Sequence, residues 1–540
     1  MDGQLARTRA RVSFARAAFS VHSWLGLSFF VLLTTVLLSG TLAVFRDEID
    51  WLIFPQMRVA PGPDRVGLDR LIAAVRETYP EMGLLGQFPA EAEGPRTAIG
   101  VIGVSPKDGV RRVWVDPYRG VAQGTTPFVT PGYLLGQFHA YLMIPTWGYA
   151  IVCSLAFFLL ASSITGLLTY RKFWRGFFRR PRSRTMRTLM GDLHRLGGVW
   201  SIWFLVILIA TSLWYFWIRV GEPLLHFPHA VQDETPPVMP DADFNRLGPA
   251  TPKVLLLDEL AAGVRHAFPD FRIGYLRLPD THGDAVTFGG NTGELFGQYL
   301  SKVYVEPYSG RILGHRLSRD NYSFAWLGAM ADALHFGNFA GLTSKTIWFL
   351  FGVVVTALSI TGVIVFWKRT ARNARPSERS AVRRIWCIVR PWGGAMGVLK
   401  PVNLGVVIFS LAALTMTIRF YSMPLDERAA RYVAQPIGPF SMGAVIVAGL
   451  GDTSDPVRPG ARAMVLAQYC HDCWKDIRRL WVNIGPRSMG SDGIRIVGQP
   501  GYARAWVKFP ETIDPDTRLW MVAERWNGDL DQTSWALEGR

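Results

Sequence analysis

Five long apolar runs constrain the fold of this chain more than any other feature of its sequence. An α-helix needs about 20 apolar residues to cross the hydrocarbon layer of a membrane. Each run reaches that length and carries few or no charged residues in its core. The runs lie at about residues 22–45, 147–170, 197–218, 346–367 and 402–421. The sequence therefore predicts a multi-pass membrane protein with five transmembrane helices, TM1 to TM5 in chain order.

The first run has a second interpretation, because it follows a basic stretch as the apolar part of a signal peptide would. Four arginines precede it between residues 7 and 16. The run is long, however, and no small-residue cleavage site stands before Arg46. Cleavage would also remove His22, which belongs to the histidine pattern described below. These features favour an uncleaved helix.

The formal net charge of +16 is concentrated in two stretches between the apolar runs. Eight Lys and Arg residues lie within 171–187 and eight more within 368–390. Cytoplasmic loops collect Lys and Arg, so this distribution predicts that both loops and the N-terminus are cytoplasmic. The excess charge is then explained by topology and by contact with anionic lipid, and no nucleic-acid partner is expected.

This topology divides the chain into ten predicted segments, three of them outside the cytoplasm. They are an N-terminal segment with TM1 (1–45), a first periplasmic domain (46–132), TM2 (133–170), a basic loop (171–191), TM3 (192–218), a second periplasmic domain (219–330), TM4 (331–367), a second basic loop (368–400), TM5 (401–421) and a periplasmic C-terminal domain of unknown role (422–540).

The first two outer domains are copies of one unit. VWVDPYRGVAQG at residues 113–124 matches VYVEPYSGRILG at residues 303–314, with an offset of 190 residues. Alternating apolar residues followed by Pro-Tyr-x-Gly predict a strand that enters a turn. A helix-like segment precedes each copy. We therefore expect two small α+β modules, in which Tyr118 and Tyr308 pack within their own turns rather than contact a ligand.

The helices repeat as well, and each copy carries a histidine. His22 and Gly26 in TM1 match His194 and Gly198 in TM3, and a small residue follows 18 positions after each histidine, Gly40 or Ser212. His139 before TM2 is followed by Thr165-Gly166, and His335 before TM4 by Thr361-Gly362, at the same spacing. The predicted topology places His22 and His194 at the cytoplasmic surface and His139 and His335 at the outer surface.

Two histidine pairs at opposite faces of a four-helix bundle are typical of haem proteins, because haem iron accepts two axial imidazoles from facing helices. A single interfacial histidine is more often a hydrogen-bonding anchor, and glycines are ordinary packing residues in membranes. Four repeat-related histidines favour haem. A zinc or copper site fits less well, since each face offers two histidines without clustered cysteines or carboxylates. Gly26, Gly198, Gly166 and Gly362, with Gly40 and Ser212, are predicted to make room for the macrocycles.

Cys470 and Cys473 form a C-x-x-C motif in the C-terminal domain. A c-type haem site needs a histidine directly after the second cysteine, and Trp474 stands there. The simplest interpretation is a local disulfide in an oxidising compartment. A redox-active pair is the alternative.

These residues resemble the PepSY-associated transmembrane helix family over residues 20–370. The resemblance is carried by HSWLGL at His22, GQFHAYL around His139, DLHRLGG around His194 and ALHFGNFAG around His335, together with the Thr-Gly helix ends and the two outer modules. Members include bacterial inner-membrane ferric-siderophore reductases with a di-haem four-helix core. The resemblance implies two b-type haems held by the four histidines; it does not cover TM5 or residues 422–540.

The expected fold is an all-α transmembrane bundle, with a four-helix di-haem core plus a fifth helix, and small α+β periplasmic PepSY-like domains. The leading hypothesis is a membrane oxidoreductase in the bacterial inner membrane. Electrons would enter from quinol or a cytoplasmic reductase and leave to a periplasmic acceptor such as a ferric siderophore. The alternative is a membrane-anchored module that binds or regulates a peptidase or another partner without redox activity. A transporter is disfavoured, because the apolar runs lack acidic residues and interruptions.

Overall fold

The computed structural model describes most of the chain and divides it into two compact units. It describes residues 2–84, 86–90, 94–105, 108–170, 173–226, 237–240, 244, 253–294, 296, 300–318, 324–372, 399–422, 429–448, 457–469, 473–499 and 502–537. One unit, called the helical unit here, comprises Met1–Asp50, Pro131–Gln232 and Leu327–Met416. The other, called the sheet unit, comprises Trp51–Thr130, Asp233–Trp326 and Thr417–Arg540.

In chain order, several of the long helices are preceded by a short helix. The helices are α1 Asp2–Ser28, α2 Phe30–Ala43, α3 Arg46–Ile53, α4 Leu68–Thr78, α5 Pro131–Tyr141, α6 Gly148–Thr169, α7 Met186–Trp200, α8 Ile202–Phe216, α9 Glu222–Leu225, α10 Leu257–Ala267, α11 Phe324–Phe336, α12 Gly341–Arg372, α13 Leu399–Ser422 and α14 Cys473–Asp476. Short 3-10 turns span Pro55–Met57, Phe173–Gly176 and Gly490–Asp492, and a π-helix spans Trp217–Gly221.

The strands fall into three sheets. They are β1 Gly83–Leu84, β2 Gln87–Pro89, β3 Ile99–Ser105, β4 Gly109–Asp116, β5 Val121–Pro127, β6 Arg272–Arg277, β7 Val286–Asn291, β8 Ser301–Val305, β9 Ile312–Arg316, β10 Ala429–Ile437, β11 Phe440–Ala448, β12 Arg462–Tyr469, β13 Ile477–Gly485, β14 Ile494–Gln499, β15 Tyr502–Lys508, β16 Arg518–Arg525 and β17 Leu530–Ala536.

The helical unit contains the predicted membrane spans. Within the described residues, four helices are long and apolar enough to cross a membrane: Gly148–Thr169, Ile202–Leu225, Gly341–Lys368 and Pro401–Ser422. A fifth span is possible if Phe14–Ser28 and Phe30–Ala43, which meet at an angle of 69°, are taken together. These positions match the five apolar runs of the sequence.

TM1 is bent rather than straight, which the sequence analysis did not predict. A bend leaves helix carbonyls without their usual donors, and in an apolar environment another group must satisfy them. The buried Asn403 of α13 donates its side-chain amide to the Ser28 carbonyl at 2.8 Å. TM3 is interrupted at Ser201, the position that corresponds to Phe29 in the repeat. The fifth helix therefore stabilises the bend in the first.

The two α+β modules of the sheet unit are joined into one folded body. The first module contributes a sheet of order β1-β3-β4-β5, and the second forms one of order β2-β6-β7-β8-β9. Strand β2 belongs to the first module by sequence but pairs with β6 of the second, Phe88 opposite Leu276. Helices α4 and α10 and both sheets share a single hydrophobic core. The expected pair of small modules is thus one structure, in which the first module donates strand β2 to the sheet of the second.

Reciprocal helix capping also joins the first module to the second. The Asp258 carboxylate of α10 accepts hydrogen bonds from the Leu68 and Asp69 amides of α4 at 2.8 and 3.3 Å. In return, the Asp69 carboxylate accepts from the Leu257 and Asp258 amides at 3.0 and 2.9 Å. Carboxylates at helix N-termini accept hydrogen bonds from the free backbone amides and interact favourably with the positive end of the helix dipole.

The C-terminal region forms a large antiparallel sheet that the sequence analysis did not predict. Its eight strands have the order β10-β11-β12-β15-β14-β13-β16-β17. The two edge strands meet through side chains: the Trp535 indole donates to the Val433 carbonyl at 2.8 Å, and Thr533 to Gln435 at 3.1 Å. The sheet therefore curls into a barrel-like form around its own apolar core. The predicted fold class, with helices and small α+β domains alone, was incomplete here.

Candidate functional site

The four repeat-related histidines all lie in the helical unit, on helices that precede a bend or a turn. His22 and His194 stand near the ends of α1 and α7, just before the interruptions at Phe29 and Ser201. His139 and His335 stand near the ends of α5 and α11, which precede the spanning helices α6 and α12. Their distance from the apolar runs in the sequence is explained by these separate short helices.

The structure brings the histidines together in two pairs. The ring centroids of His22 and His194 are 6.1 Å apart, and those of His139 and His335 are also 6.1 Å apart. The pairs join the two copies of the repeat, first helix with third and second with fourth. This is the pairing that the sequence predicted from topology.

Each imidazole is held through its Nδ1 atom by a neighbouring helix. His22 Nδ1 lies 2.9 Å from the Ser162 carbonyl, and His139 Nδ1 lies 3.0 Å from the Val36 carbonyl. His194 Nδ1 lies 3.1 Å from the Thr361 hydroxyl, and His335 Nδ1 lies 2.9 Å from the Thr211 hydroxyl. The four contacts therefore follow one pattern in both copies of the repeat.

These partners determine which nitrogen carries the proton in the neutral rings. A carbonyl can only accept, so His22 and His139 must donate from Nδ1. The Thr361 and Thr211 hydroxyls lie 2.7 and 2.8 Å from the carbonyls of Ala357 and Ile207, to which each gives its single proton. Each hydroxyl then accepts from the imidazole. All four rings have Nδ1 protonated and leave the Nε2 lone pair for another ligand.

The glycines chosen from the sequence divide into two groups. A Cβ atom added to Gly166 or Gly362 would lie 3.3 or 3.2 Å from Cε1 of His22 or His194. These two glycines therefore make room for the imidazole rings themselves. They do not enlarge the space between the two rings of a pair. A Cβ at Gly26 or Gly198 would meet no described atom within 4 Å. Open volume is thus found at the two glycines that follow the first histidine pair.

Ser39 and Thr211 were missed in the sequence analysis, although the repeat relates them. Ser39 Oγ lies 3.4 Å from His139 Nδ1, as Thr211 lies beside His335. The sequence analysis named their neighbours instead, Gly40 and Ser212. A Cβ at Gly40 would clash with the His139 ring. The signal that could have identified them was a hydroxyl residue before each small residue, as in Thr165-Gly166.

A comparison with family models assigns most of the chain to one family. A family model described as the PepSY-associated TM region matches residues 19–369, more than half of the chain, including all four histidines and both α+β modules. The chain belongs to this family. A second model, described only as an uncharacterised conserved protein, matches residues 404–538, which contain most of α13 and the C-terminal sheet. No curated protein matches the chain.

Other residues considered from the sequence lie in the sheet unit of this PepSY-associated protein. The Tyr118 hydroxyl donates to the Pro95 carbonyl at 3.0 Å, and the Tyr308 hydroxyl to the His282 carbonyl at 3.1 Å. Both tyrosines are therefore engaged within their modules, as expected. Cys473 is disulfide-bonded and buried against the core of the C-terminal sheet. Its expected partner, Cys470, lies outside the described residues.

Proposed function

We propose that this PepSY-associated membrane protein carries electrons across the bacterial inner membrane through two b-type haems. The observation that carries the proposal is the duplicated histidine pair, with centroids 6.1 Å apart at both sites. Two imidazole nitrogens bound to one metal at about 2 Å each would place their ring centroids about 6 Å apart. Each pair would therefore be suitably spaced to hold one haem iron between its two imidazoles.

The donor set favours haem over a bare metal ion. Each pair offers two imidazoles, and within the described residues no group of three His, Cys, Asp or Glu side chains could hold an ion. A macrocycle supplies four further nitrogens, which completes six-coordination with two histidines. Haem bound at these sites would supply a reversible one-electron couple.

The protein's own contribution is orientation and basicity. The Ser162 and Val36 carbonyls and the Thr361 and Thr211 hydroxyls accept the Nδ1 protons. Such contacts fix the tautomer and the ring plane, and they increase the basicity of Nε2 toward a metal. No side chain needs to transfer a proton in this role, and the histidines act as fixed ligands.

The path between the two sites is shorter than the sequence suggested. A straight helix would separate His22 from residue 40, beside His139, by about 27 Å. The 69° bend in TM1 reduces that distance to roughly 22 Å. We place electron entry at the His22/His194 site, near the basic loops, with quinol or a cytoplasmic reductase as donor.

We place electron exit at the His139/His335 site, toward a periplasmic acceptor such as a ferric siderophore. The protein would then be a membrane oxidoreductase of the ferric-siderophore reductase type. Reduction would release iron because siderophores bind Fe(II) far less tightly than Fe(III). The sheet unit, on this proposal, lies in the periplasm.

The first experiment is haem analysis of the purified full-length protein. We expect two haem b per chain by pyridine haemochrome assay, both low-spin, because each iron would have two imidazoles. His22→Ala or His194→Ala should remove or convert one haem, and His139→Ala or His335→Ala the other. His266→Ala, an exposed histidine of α10, is the matched control and should leave both spectra unchanged.

Two results would contradict the proposal. A colourless protein would remove the haem assignment and favour a binding or regulatory module. A protein with two haems in which His22→Ala and His139→Ala damage the same haem would retain haem but exclude the pairing described here.

A further inference from the structure

Two arginines flank the His139/His335 site in repeat-related positions. Arg46 and Arg219 each stand nine residues before the proline of a Phe-Pro pair, Pro55 or Pro228. The second copy has one more residue between its small residue and its arginine, and the π-helix Trp217–Gly221 lies there. A π-turn accommodates one extra residue within a helix. The two arginines are thus equivalent.

Their surroundings differ by one decisive residue. The residue three positions before the histidine is Gly136 in the first copy and Asp332 in the second. A Cβ at Gly136 would lie 3.2 Å from Arg46 Nη1. Arg219 interacts electrostatically with Asp332, whose carboxylate also accepts from Tyr215 at 2.6 Å. The second arginine therefore has a carboxylate where the first has a glycine.

Arg46 shares its nearest carboxylate with a lysine. Asp47 lies 3.5 Å from Arg46 Nε, but it also lies 3.6 Å from Lys345 Nζ, which contacts Glu48 at 2.8 Å. The Arg46 guanidinium lies 6.0 Å from the ring of Phe336, the residue after His335. The Arg46 side chain is 49% exposed, which leaves part of its guanidinium accessible to a further carboxylate.

We propose that Arg46 is a carboxylate anchor for the His139/His335 site and binds one propionate of the haem placed there. This inference rests on the proposed function. Arginine suits the role because its planar fork binds both oxygens of a carboxylate. Gly136 leaves the anchor open to the ligand, whereas Asp332 occupies the corresponding position of Arg219. The site therefore holds its macrocycle by one strong carboxylate contact and in one orientation.

The test measures haem loss in full-length protein that carries both His22→Ala and His194→Ala, so that only the His139/His335 site keeps its imidazoles. Haem transfer to an excess of a haem-scavenging protein is followed by absorbance. Arg46→Gln should release haem about tenfold faster, the effect of losing one charged hydrogen-bond partner. Gly136→Asp should accelerate release similarly, because it supplies Arg46 with a competing carboxylate. Arg182→Gln, which breaks an exposed ion pair with Asp192, is the control and should match the parent.

Haem with esterified propionates separates this role from a general loss of stability. In the parent, the diester should leave about tenfold faster than haem, and Arg46→Gln should add no further acceleration to it. Equal release of haem from the parent and Arg46→Gln, with normal bis-histidine spectra, would overturn the Arg46 assignment alone. Acceleration of the diester by Arg46→Gln would also overturn it, since the guanidinium would then act without a carboxylate. A chain that binds no haem would overturn the proposed function as well.

Discussion

Four hydroxyl residues prepare the helical unit to receive imidazoles. Ser39, Thr165, Thr211 and Thr361 each lie within 3.4 Å of one histidine Nδ1 atom. The carbonyl three residues before Ser39 or Thr165, at Val36 or Ser162, faces the same nitrogen. A hydroxyl residue, a carbonyl one turn earlier and a following small residue together form a recess on the helix surface. Each recess thereby holds one imidazole ring without any charged group.

Removal of one such hydroxyl should weaken one site only. Thr361→Val deletes the acceptor of the His194 Nδ1 proton at nearly constant volume. We expect haem affinity at the His22/His194 site to fall about 10- to 100-fold, as for other second partners of metal-binding histidines. Thr346→Val removes a hydroxyl that bonds only the Leu342 carbonyl on the same helix, and it serves as the control. Spectrally resolved haem titration measures both, and equal affinities would argue against the hydroxyl role.

The buried His282 side chain should make the stability of the sheet unit depend on pH. Its side chain is buried between Tyr308 and the Trp474 carbonyl, and burial lowers its pKa below the ordinary value. The unfolded chain therefore binds the proton more readily than the folded one. Stability should be constant above about pH 6.5 and decrease below it, by at most about 1.4 kcal/mol per pH unit.

Urea unfolding of the sheet unit in the full-length protein, at pH 7.5 and 5.5, measures this effect. His282→Gln should reduce the difference between the two pH values, while His266→Gln, an exposed change, should keep it. A wild-type protein equally stable at both values would show that another conformation accommodates the charged ring.

At the scale of elements, apolar length predicted where the spans lie, because it depends on composition alone. The 69° bend was not predictable from it, since the residues around Phe29 remain apolar on both sides and the supporting Asn403 is 375 residues away from Ser28. The C-terminal strand Tyr502–Lys508 does alternate, with Ala503, Ala505 and Val507 buried, and a search for period two would have found it. Strand β2 pairs with residues far away in the chain, and no local sequence pattern predicts that pairing.

Reciprocal capping between α4 and α10 should couple the stabilities of the two modules. Asp69→Ala removes two acceptors from α10, and Asp258→Ala removes two from α4. Each change should destabilise the sheet unit by about 1 kcal/mol, the usual cost of a lost helix cap. Asp64→Ala, at an exposed position, is the control. Urea midpoints measure all three; an effect at Asp64 equal to that at Asp69 would remove the capping explanation.

At the scale of the whole molecule, the pairings within the sheet unit constrain the membrane crossings. Strand β2 pairs with β6, and α6 and α8 lie between them in the chain. The Gly498 amide donates to the Asp280 carbonyl at 2.9 Å, and α12 and α13 lie between those residues. Segments that touch must lie on one side of the membrane, so each interval needs an even number of crossings. Two spans in each interval satisfy this condition.

The side on which the sheet unit lies can be tested with reporter fusions. The two basic loops predict that it is periplasmic, so a reporter active only in the periplasm should be active after Arg540. A fusion at residue 180, between TM2 and TM3, should be inactive. A cytoplasmic signal from Arg540 would mean that TM1 does not cross, because the pairings within the sheet unit keep the number of later crossings even.

The pairing of strand β2 with the second module also has a consequence for biogenesis. The first module emerges from the ribosome long before its partner strand, because nearly 190 residues separate Pro89 from Arg277. At a synthesis rate of about 5–20 residues per second, this delay is roughly 10–40 s. During that time two hydrophobic segments must be inserted, while the first module waits with an unfinished apolar face. If that module is periplasmic, as the basic loops predict, a periplasmic chaperone that shields nascent chains would find its substrate in this interval, and slow insertion of TM2 or TM3 would lengthen the exposure.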